Sequence, residues 1–435
     1  MATLPSPVSA PAITLPPAPR TAEETGLPFS FLCDLSLKIL YLNGSLLGRE
    51  VSEQICLPFS LLETTLAFLA DEGYITSTGM RQTQIASYDS LNSAMQWQIS
   101  TTGRTRAREI MELNQYAGPA PVPLNTYMAM ANQQSHVEVE VDRQSMRELF
   151  SDLVVPDSLL DRLGPALSAR AATFLYGPPG NGKTSLAEAA AKVLGPPMFV
   201  PRALYSHGEV IRFFDPLHHV PVTRELPDHD RRWLLTERPV VKAGGELGPH
   251  SLELAFDSTL GFYEASLQLK ANGGLFLIDD FGRQQKLSPR DLLNRLIVPL
   301  EKGVDYLNIA RAGTSVPVPF TGLLLLSTNL QPEHLMDEAF LRRVRFKVFV
   351  PDPTDDEYRE IWKRCCVREG IPYEAAMIDR LLDQCHRAGR ALHGVHPRDL
   401  LNQVVHTARY LREPMALSPR LLDMACATYF LGETA

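Results

Sequence analysis

The stretch TFLYGPPGNGKTSLAEAAAKVL, Thr173 to Leu194, decides how the chain is read. Thr173-Phe174-Leu175-Tyr176 is a short strand. It runs into GPPGNGKT, Gly177 to Thr184, which matches G-x-x-x-x-G-K-[ST]. Ser185 then opens a run of helix formers. Strand, glycine loop and helix in that order form the context the motif requires. Gly177, Gly180 and Gly182 let the backbone curl so that N–H groups converge, while Pro178, Pro179 and Asn181 fill the positions between. The following helix adds its positive end. Lys183 supplies a cation for the outer phosphates, and the Thr184 hydroxyl suits Mg²⁺, which takes hard oxygen ligands. The stretch therefore reads as a cradle for a triphosphate. A chance glycine loop would not bring its own flanking strand and helix.

From Ala171 onward short apolar strands alternate with helices, the pattern of a parallel sheet with crossover connections. Leu275-Phe276-Leu277-Ile278 is a buried strand that ends in Asp279-Asp280, and Leu323 to Leu326 is another that ends in Ser327-Thr328-Asn329. In this order the segments resemble the AAA+ ATPases over roughly residues 140–435. The resemblance implies ATP and Mg²⁺ as cofactors. Gly177 to Ser185 hold the nucleotide, Asp279 joins Thr184 at the metal, and Asp280 orients the attacking water. AAA+ proteins more often carry Glu at that second position, so the shorter Asp280 implies slower hydrolysis. Asn329 resembles the residue that helps hold water and γ-phosphate, although Asn at a strand end is also an ordinary turn former. DEAFLRRVRF, residues 337–346, resembles the arginine-finger helix. Arg342 or Arg343 then reaches a neighbouring subunit, where an arginine stabilises the transition state; the alternative is a solvated basic helix end. GVHPRDLLNQV, residues 394–404, resembles the helix whose arginine, here Arg398, points from a C-terminal lid into the nucleotide.

LKANGGLFLIDDFG (269–282), LLNRLIVPLEKG (292–303) and LNIARAGTSVPVPFTGLLLLSTN (307–329) resemble segments of MoxR-type ATPases, magnesium chelatases and enhancer-binding activators. The last suggests a β-hairpin with Gly313 near its turn. Phe262-Tyr263 reads equally as a pore-facing pair, by the same resemblance, or as core aromatics. Without a third ligand nearby, His218-His219 reads as packing or surface.

Composition bounds the rest. The chain has 435 residues, 45% of them hydrophobic, with a net charge of −8. That charge excludes a whole-protein basic footprint for nucleic acid. The six cysteines form no C-x-x-C pair and read as reduced thiols in a cytoplasmic protein. No apolar run approaches the ~20 residues that span a bilayer. Residues 1–25 are proline-dense and read as a disordered arm.

Residues 26–117 give helical faces at Leu32, Leu35, Ile39 and Leu42, at Leu46, Leu47, Val51 and Ile55, and at Phe59, Leu62, Leu66 and Leu69. An extended segment, the alternating Met95, Trp97 and Ile99, and a last helix follow. The order resembles a winged helix-turn-helix domain. Within residues 26–116 six Lys/Arg face nine Asp/Glu, the wrong balance for phosphate. Even Arg104, Arg106 and Arg108 spread around their helix. A protein-binding or adaptor role is therefore favoured over DNA.

The expected architecture is an α/β fold of the P-loop NTPase type, with a three-layer αβα core. It runs as a linker at 118–135, the ATPase domain at 136–350, a helical lid at 351–435 and the winged-helix-like domain in front. The expected function is ATP hydrolysis by a homo-oligomer, a hexameric ring by family resemblance, that remodels a protein partner. The competing expectation is a nucleotide-gated, DNA-binding regulator or loader with slow turnover.

Overall fold

The computed structural model describes residues 13–80, 93–135, 141–335 and 338–430. Residues 1–12 of the expected arm and Asp337 of the expected finger segment lie outside that range.

The N-terminal unit contains α1 (Phe29–Asn43), β1 (Ser45–Leu47), α2 (Gly48–Ile55), α3 (Phe59–Asp71), β2 (Ile75–Met80), β3 (Met95–Ile99) and α4 (Thr101–Leu113). The strands form an antiparallel sheet in the order β1-β3-β2. Leu32, Leu35, Ile39, Val51, Leu62 and Trp97 share one core. Two sequence readings change. Leu42 is 58% exposed, and Leu40 is buried in its stead. Leu46 and Leu47 belong to a strand opposite Trp97 and Gln96, so the second helix starts only at Gly48. Gly44, at φ +79, ends α1 and lets the chain turn into that strand.

The expected linker at 118–135 contains two elements. Val122–Pro123 is β4, and Leu124–Ser135 is a helix, α5. Leu124, Tyr127, Met130 and Ala131 lie on its buried face, an i, i+3, i+6, i+7 pattern that the sequence already carried. The Gln134 amide is buried and both accepts from Phe199 N (2.6 Å) and donates to Phe199 O (2.9 Å).

In chain order the elements continue as α6 (Arg143–Leu149), α7 (Asp157–Ser168), β5 (Thr173–Tyr176), α8 (Lys183–Ala191), β6 (Met198–Pro201), β7 (Ala203–Ser206), β8 (Glu209–Arg212), β9 (Trp233–Thr236), β10 (Val240–Ala243), β11 (Ala255–Asp257) and β12 (Phe262–Glu264). Next come α9 (Leu267–Lys270), β13 (Leu275–Ile278), α10 (Pro289–Lys302), β14 (Val304–Ile309), β15 (Thr314–Pro319), β16 (Leu323–Thr328), α11 (Pro332–Leu335), α12 (Glu338–Arg343) and β17 (Phe346–Phe349). The chain ends with α13 (Asp355–Glu369), α14 (Ala375–Arg387), α15 (His396–Leu411) and α16 (Pro419–Tyr429).

The central sheet is wholly parallel, in the order β10-β13-β16-β5-β17. Its leucine-rich strands are buried on both faces, which is why they read as continuous apolar runs. Leu323 and Leu325 join Leu175, Leu275 and Leu277 against α7 and α8. Leu324 and Leu326 point the other way, with Phe174, Phe276 and Ile278, against α10. The period of two thus divides one leucine run between two cores and builds the three layers. Burying each such side chain contributes about 1.5–3 kcal/mol.

Alternation did not reveal a second β body. A five-stranded sheet, β11-β12-β8-β7-β4, is joined by the β6/β9 pair and the β14/β15 hairpin. Tyr127, Phe199, Phe213, Trp233, Tyr263 and Ile309 lie in its core. Phe262 and Tyr263 are interior residues, 7% and 1% exposed, and the Tyr263 hydroxyl accepts from Arg311 N at 2.9 Å. The pore-facing alternative is therefore set aside. The hairpin expected before Asn329 is present, with Gly313 at φ +62 beside its turn. His219 stacks on Phe213 and Phe214 and is buried.

The described part of the expected arm is packed against this body. Ile13 and Leu15 contact its core, and Asp230 N donates to Pro16 O at 2.9 Å. The Arg232–Asp230 pair, 2% and 4% exposed, is shielded beneath it. Arg232 Nη1 also donates to Thr25 O (2.9 Å) and Pro121 O (3.2 Å), which ties the N-terminal unit to the β body.

After β17 the chain is helical. Tyr358, Trp362, Leu381, Leu400, Leu401 and Val404 form a separate core. All six cysteines are buried free thiols. No described helix is long and apolar enough to cross a membrane.

Candidate nucleotide-binding site

In an open parallel sheet, ligands bind beyond the carboxyl ends of the strands, where successive connections diverge. Here the chain leaves β5 for β10 at one edge and comes back across β5 to reach β17 at the other. The loop after β5 therefore sits at the crevice. A cleft of about 710 Å³ opens there between the sheet and the C-terminal helices.

The loop's shape follows from its glycines. Gly177 has φ +146, and a Cβ on it would lie 2.2 Å from Val350 O. Gly180 and Gly182 have φ +78 and +75. Lys183 Nζ is largely buried and donates to Gly177 O (3.0 Å) and Pro178 O (2.8 Å). An ammonium has three donors, so one remains for a further acceptor. Burial lowers the Lys183 pKa, and the Asp279 and Asp280 carboxylates oppose that shift.

Asp279 is fixed by its strand, its N–H donating to Ala243 O at 2.8 Å. Thr184 Oγ1 donates to Asp279 Oδ2 at 2.7 Å. A hydroxyl and a carboxylate thus converge beside the phosphate loop, a hard-oxygen pair that fits Mg²⁺. Asp280 has φ +47. Asn329 Nδ2 donates to Asp280 Oδ1 at 3.4 Å, so the ends of the neighbouring strands β13 and β16 are joined at the cleft.

The structure therefore brings Gly180 to Ser185, Asp279, Asp280, Asn329 and Arg398 to one cleft. It does not bring in Arg342 or Arg343. Arg342 pairs with Glu338 and is 75% exposed, and Arg343 pairs with Glu301. Both lie away from the cleft of their own chain.

Several residues in or beside the cleft carry no signal in the sequence. The Gln284 amide donates to Asp279 O (3.1 Å) and Asp280 O (3.2 Å) and accepts from Gly282 N (2.9 Å), bracing the acidic turn. Val154, Val155 and Pro156 line the cleft ahead of α7, and Arg364 and Arg368 of α13 line it from the helical domain. Arg364 Nη1 donates to Ser151 O at 2.7 Å. Asp352 and His393 sit where the two domains meet. Nothing in the spacing of these residues marks them; only the fold brings them together.

Residues 173–208 match the family model of the ATPase family associated with various cellular activities (AAA). The α/β domain carries an AAA-type P-loop. Residues 354–428 match a second family model, described as a domain of unknown function, DUF8689. None of the curated proteins matches the chain. Among solved structures the chain is similar to Thermotoga maritima RuvB. One mutant form of RuvB is 14% identical, with 66% of this chain and 71% of that chain covered and a TM-score of 0.36. A second mutant form is 15% identical, with 66% and 73% covered and a TM-score of 0.38. The RuvB Holliday junction branch migration motor is 14% identical, with 68% and 73% covered and a TM-score of 0.35. Scores of this size carry no argument about activity or partner.

Proposed function

We propose that the chain binds Mg-ATP in this cleft, hydrolyses it, and does so as a subunit of a homo-oligomeric ring that remodels a protein partner. The observation that carries the reading is the 2.7 Å bond from Thr184 to Asp279, which joins the phosphate loop to the acidic strand end. Lys183 and the loop amides grip the phosphates. Bound Mg²⁺ would be held by Thr184 and Asp279 and would supply positive charge against the phosphates. Asp280, held by Asn329, orients the attacking water, and Arg398 approaches from the helical domain. The charge still to be neutralised on the γ-phosphate is met by Arg342 or Arg343 of a neighbouring subunit. Their distance from their own cleft supports that assignment.

A protein partner is favoured because α3, which precedes the β2/β3 ribbon, turns Glu63, Thr64, Ala67 and Phe68 outward and carries no cation. A nucleic-acid-reading helix in that position needs basic or amide side chains.

Steady-state ATP turnover measured against protein concentration tests the proposal. Specific activity is expected to rise with concentration, and Lys183→Ala to lose about 2–5 kcal/mol of nucleotide binding. Turnover per subunit that is independent of concentration would remove the ring. An unaltered chain that binds no ATP with Mg²⁺ present would remove the rest.

A further inference from the structure

The phosphate loop and the helical domain are joined by one side-chain amide. Asn181 Nδ2 donates to Asp352 Oδ1 at 2.7 Å, and Asn181 Oδ1 accepts from Gly394 N at 3.0 Å. His393 Nδ1 shares the same Asp352 oxygen at 2.9 Å. The amide orientation follows from chemistry. Flipping it would turn Oδ1 toward a carboxylate and the NH₂ toward an N–H donor. The surrounding backbones are in contact: a Cβ on Gly180 would lie 2.7 Å from Val395 Cγ1, and one on Gly394 would lie 3.4 Å from Gly180 O. Asp352 lies in the connection between β17 and α13, where the sheet domain hands over to the helices. Arg398 follows His393 by five residues and lines the cleft.

We propose that Asn181 is a positioning residue that latches the helical domain to the phosphate loop through Asp352 and the Gly394 amide. The helical domain's arginine wall is thereby held against the cleft only while the loop keeps its shape. The inference rests on the nucleotide site proposed above and adds to it a control on closure. Few other side chains serve as well. Ser or Thr cannot span both partners, and Asp would set a second carboxylate against Asp352.

The test is amide hydrogen exchange of the peptide covering residues 390–398, on the full chain without nucleotide. Asn181→Ala and Asp352→Ala are each expected to speed exchange at the Gly394 amide about three- to tenfold, the size of one lost hydrogen bond. The double variant is expected to be no faster than either single, because both break one unit. Asp352→Asn keeps an acceptor for Asn181 and is expected to exchange like the parent. Unchanged exchange in Asn181→Ala, or additive acceleration in the double, overturns the latch. A second measurement separates it from the function it serves. Release of a fluorescent ADP is expected to speed in the same order across the variants. A parent chain that binds no such ADP overturns the nucleotide site, whereas a parent that binds it and variants that release it at the parent's rate overturn the latch.

Discussion

The two walls of the cleft are built by different physics. On the sheet wall, Lys183, Thr184, Asp279, Asp280 and Asn329 sit at or just past the ends of strands that hydrogen-bond to one another. Their positions are set by backbone ladders and two apolar layers. On the helical wall, Arg398 and Arg364 are placed by helices with a separate core and by individual side-chain bonds. The sheet wall is held by continuous ladders, while the helical wall meets it through individual bonds such as Arg364 to Ser151 O and Asn181 to Asp352. Nucleotide chemistry needs both, one to hold the phosphates and one to respond to them.

The largest effect would come from a group that belongs to neither wall. Replacing the arginine proposed to serve a neighbouring subunit, Arg342 or Arg343, by Ala is expected to cut turnover by about 10³–10⁵ while nucleotide still binds. Mixing that variant with Lys183→Ala subunits should restore part of the activity, since each supplies what the other lacks. Absence of restoration in mixed assemblies would return both arginines to a purely structural role.

Core substitutions should separate the walls. Leu325→Ala removes a wholly buried side chain from the middle of the sheet and is expected to cost about 2–5 kcal/mol in urea unfolding. Leu401→Ala does the same in the helical core, at a cost of about 2–5 kcal/mol. Exchange protection of the β5 and β16 amides should fall with the first and hold with the second. Loss in both alike would mean that the two walls are one cooperative unit.

Acid should test the helical wall in particular. His396, the first residue of α15, is buried with Tyr358, Tyr429 and Phe430 around it, and its pKa is pushed down to about 4, chiefly by burial and then by His393 and Arg390. Its folded value lies below its unfolded one. Stability is therefore unaffected above the unfolded pKa and falls as pH drops from 6.5 toward 4. His396→Gln should flatten that fall in a series of urea titrations, with an effect on the order of 1–3 kcal/mol at the acid end.

The same contrast governs what could be read from sequence. GPPGNGKT and the two apolar runs ending in Asp279-Asp280 and Asn329 announced the sheet wall, because a strand's register carries its last residues to a defined place. Leu323 to Leu326 even contained the three layers, once alternate side chains were assigned to opposite faces. The second β body was not legible. Its strands are mostly three or four residues long, and its hairpins are joined into one body by pairs from distant parts of the chain, as with β4 beside β7 and β8 beside β12. Asn181 was visible as part of the loop, but its partners Asp352 and Gly394 become neighbours only through the packing of two domains. The helix at 124–135 is legible by comparison, since Leu124, Tyr127 and Met130 carry helical spacing directly after the proline-rich Gly118–Pro123.

Asp280 is where reading and geometry meet most closely. By length alone, Glu at this position would reach further toward an attacking water, and Asp280→Glu would count as an improvement. The backbone argues otherwise. Asp280 stands at φ +47, a left-handed conformation that Asp tolerates better than Glu, because its short carboxylate bonds locally. Its N–H donates to Asp279 Oδ1 at 3.0 Å, and Gln284 holds its carbonyl at 3.2 Å, so the turn cannot relax without loosening the Asp279 carboxylate. Asp280→Glu is therefore expected to lower stability by roughly 1 kcal/mol and to leave nucleotide affinity unchanged. The pair Asp280→Glu and Gln284→Ala should be non-additive in kcat, since both act on one turn. A Glu variant that is both faster and as stable as the parent would show that side-chain reach, not backbone conformation, governs this position.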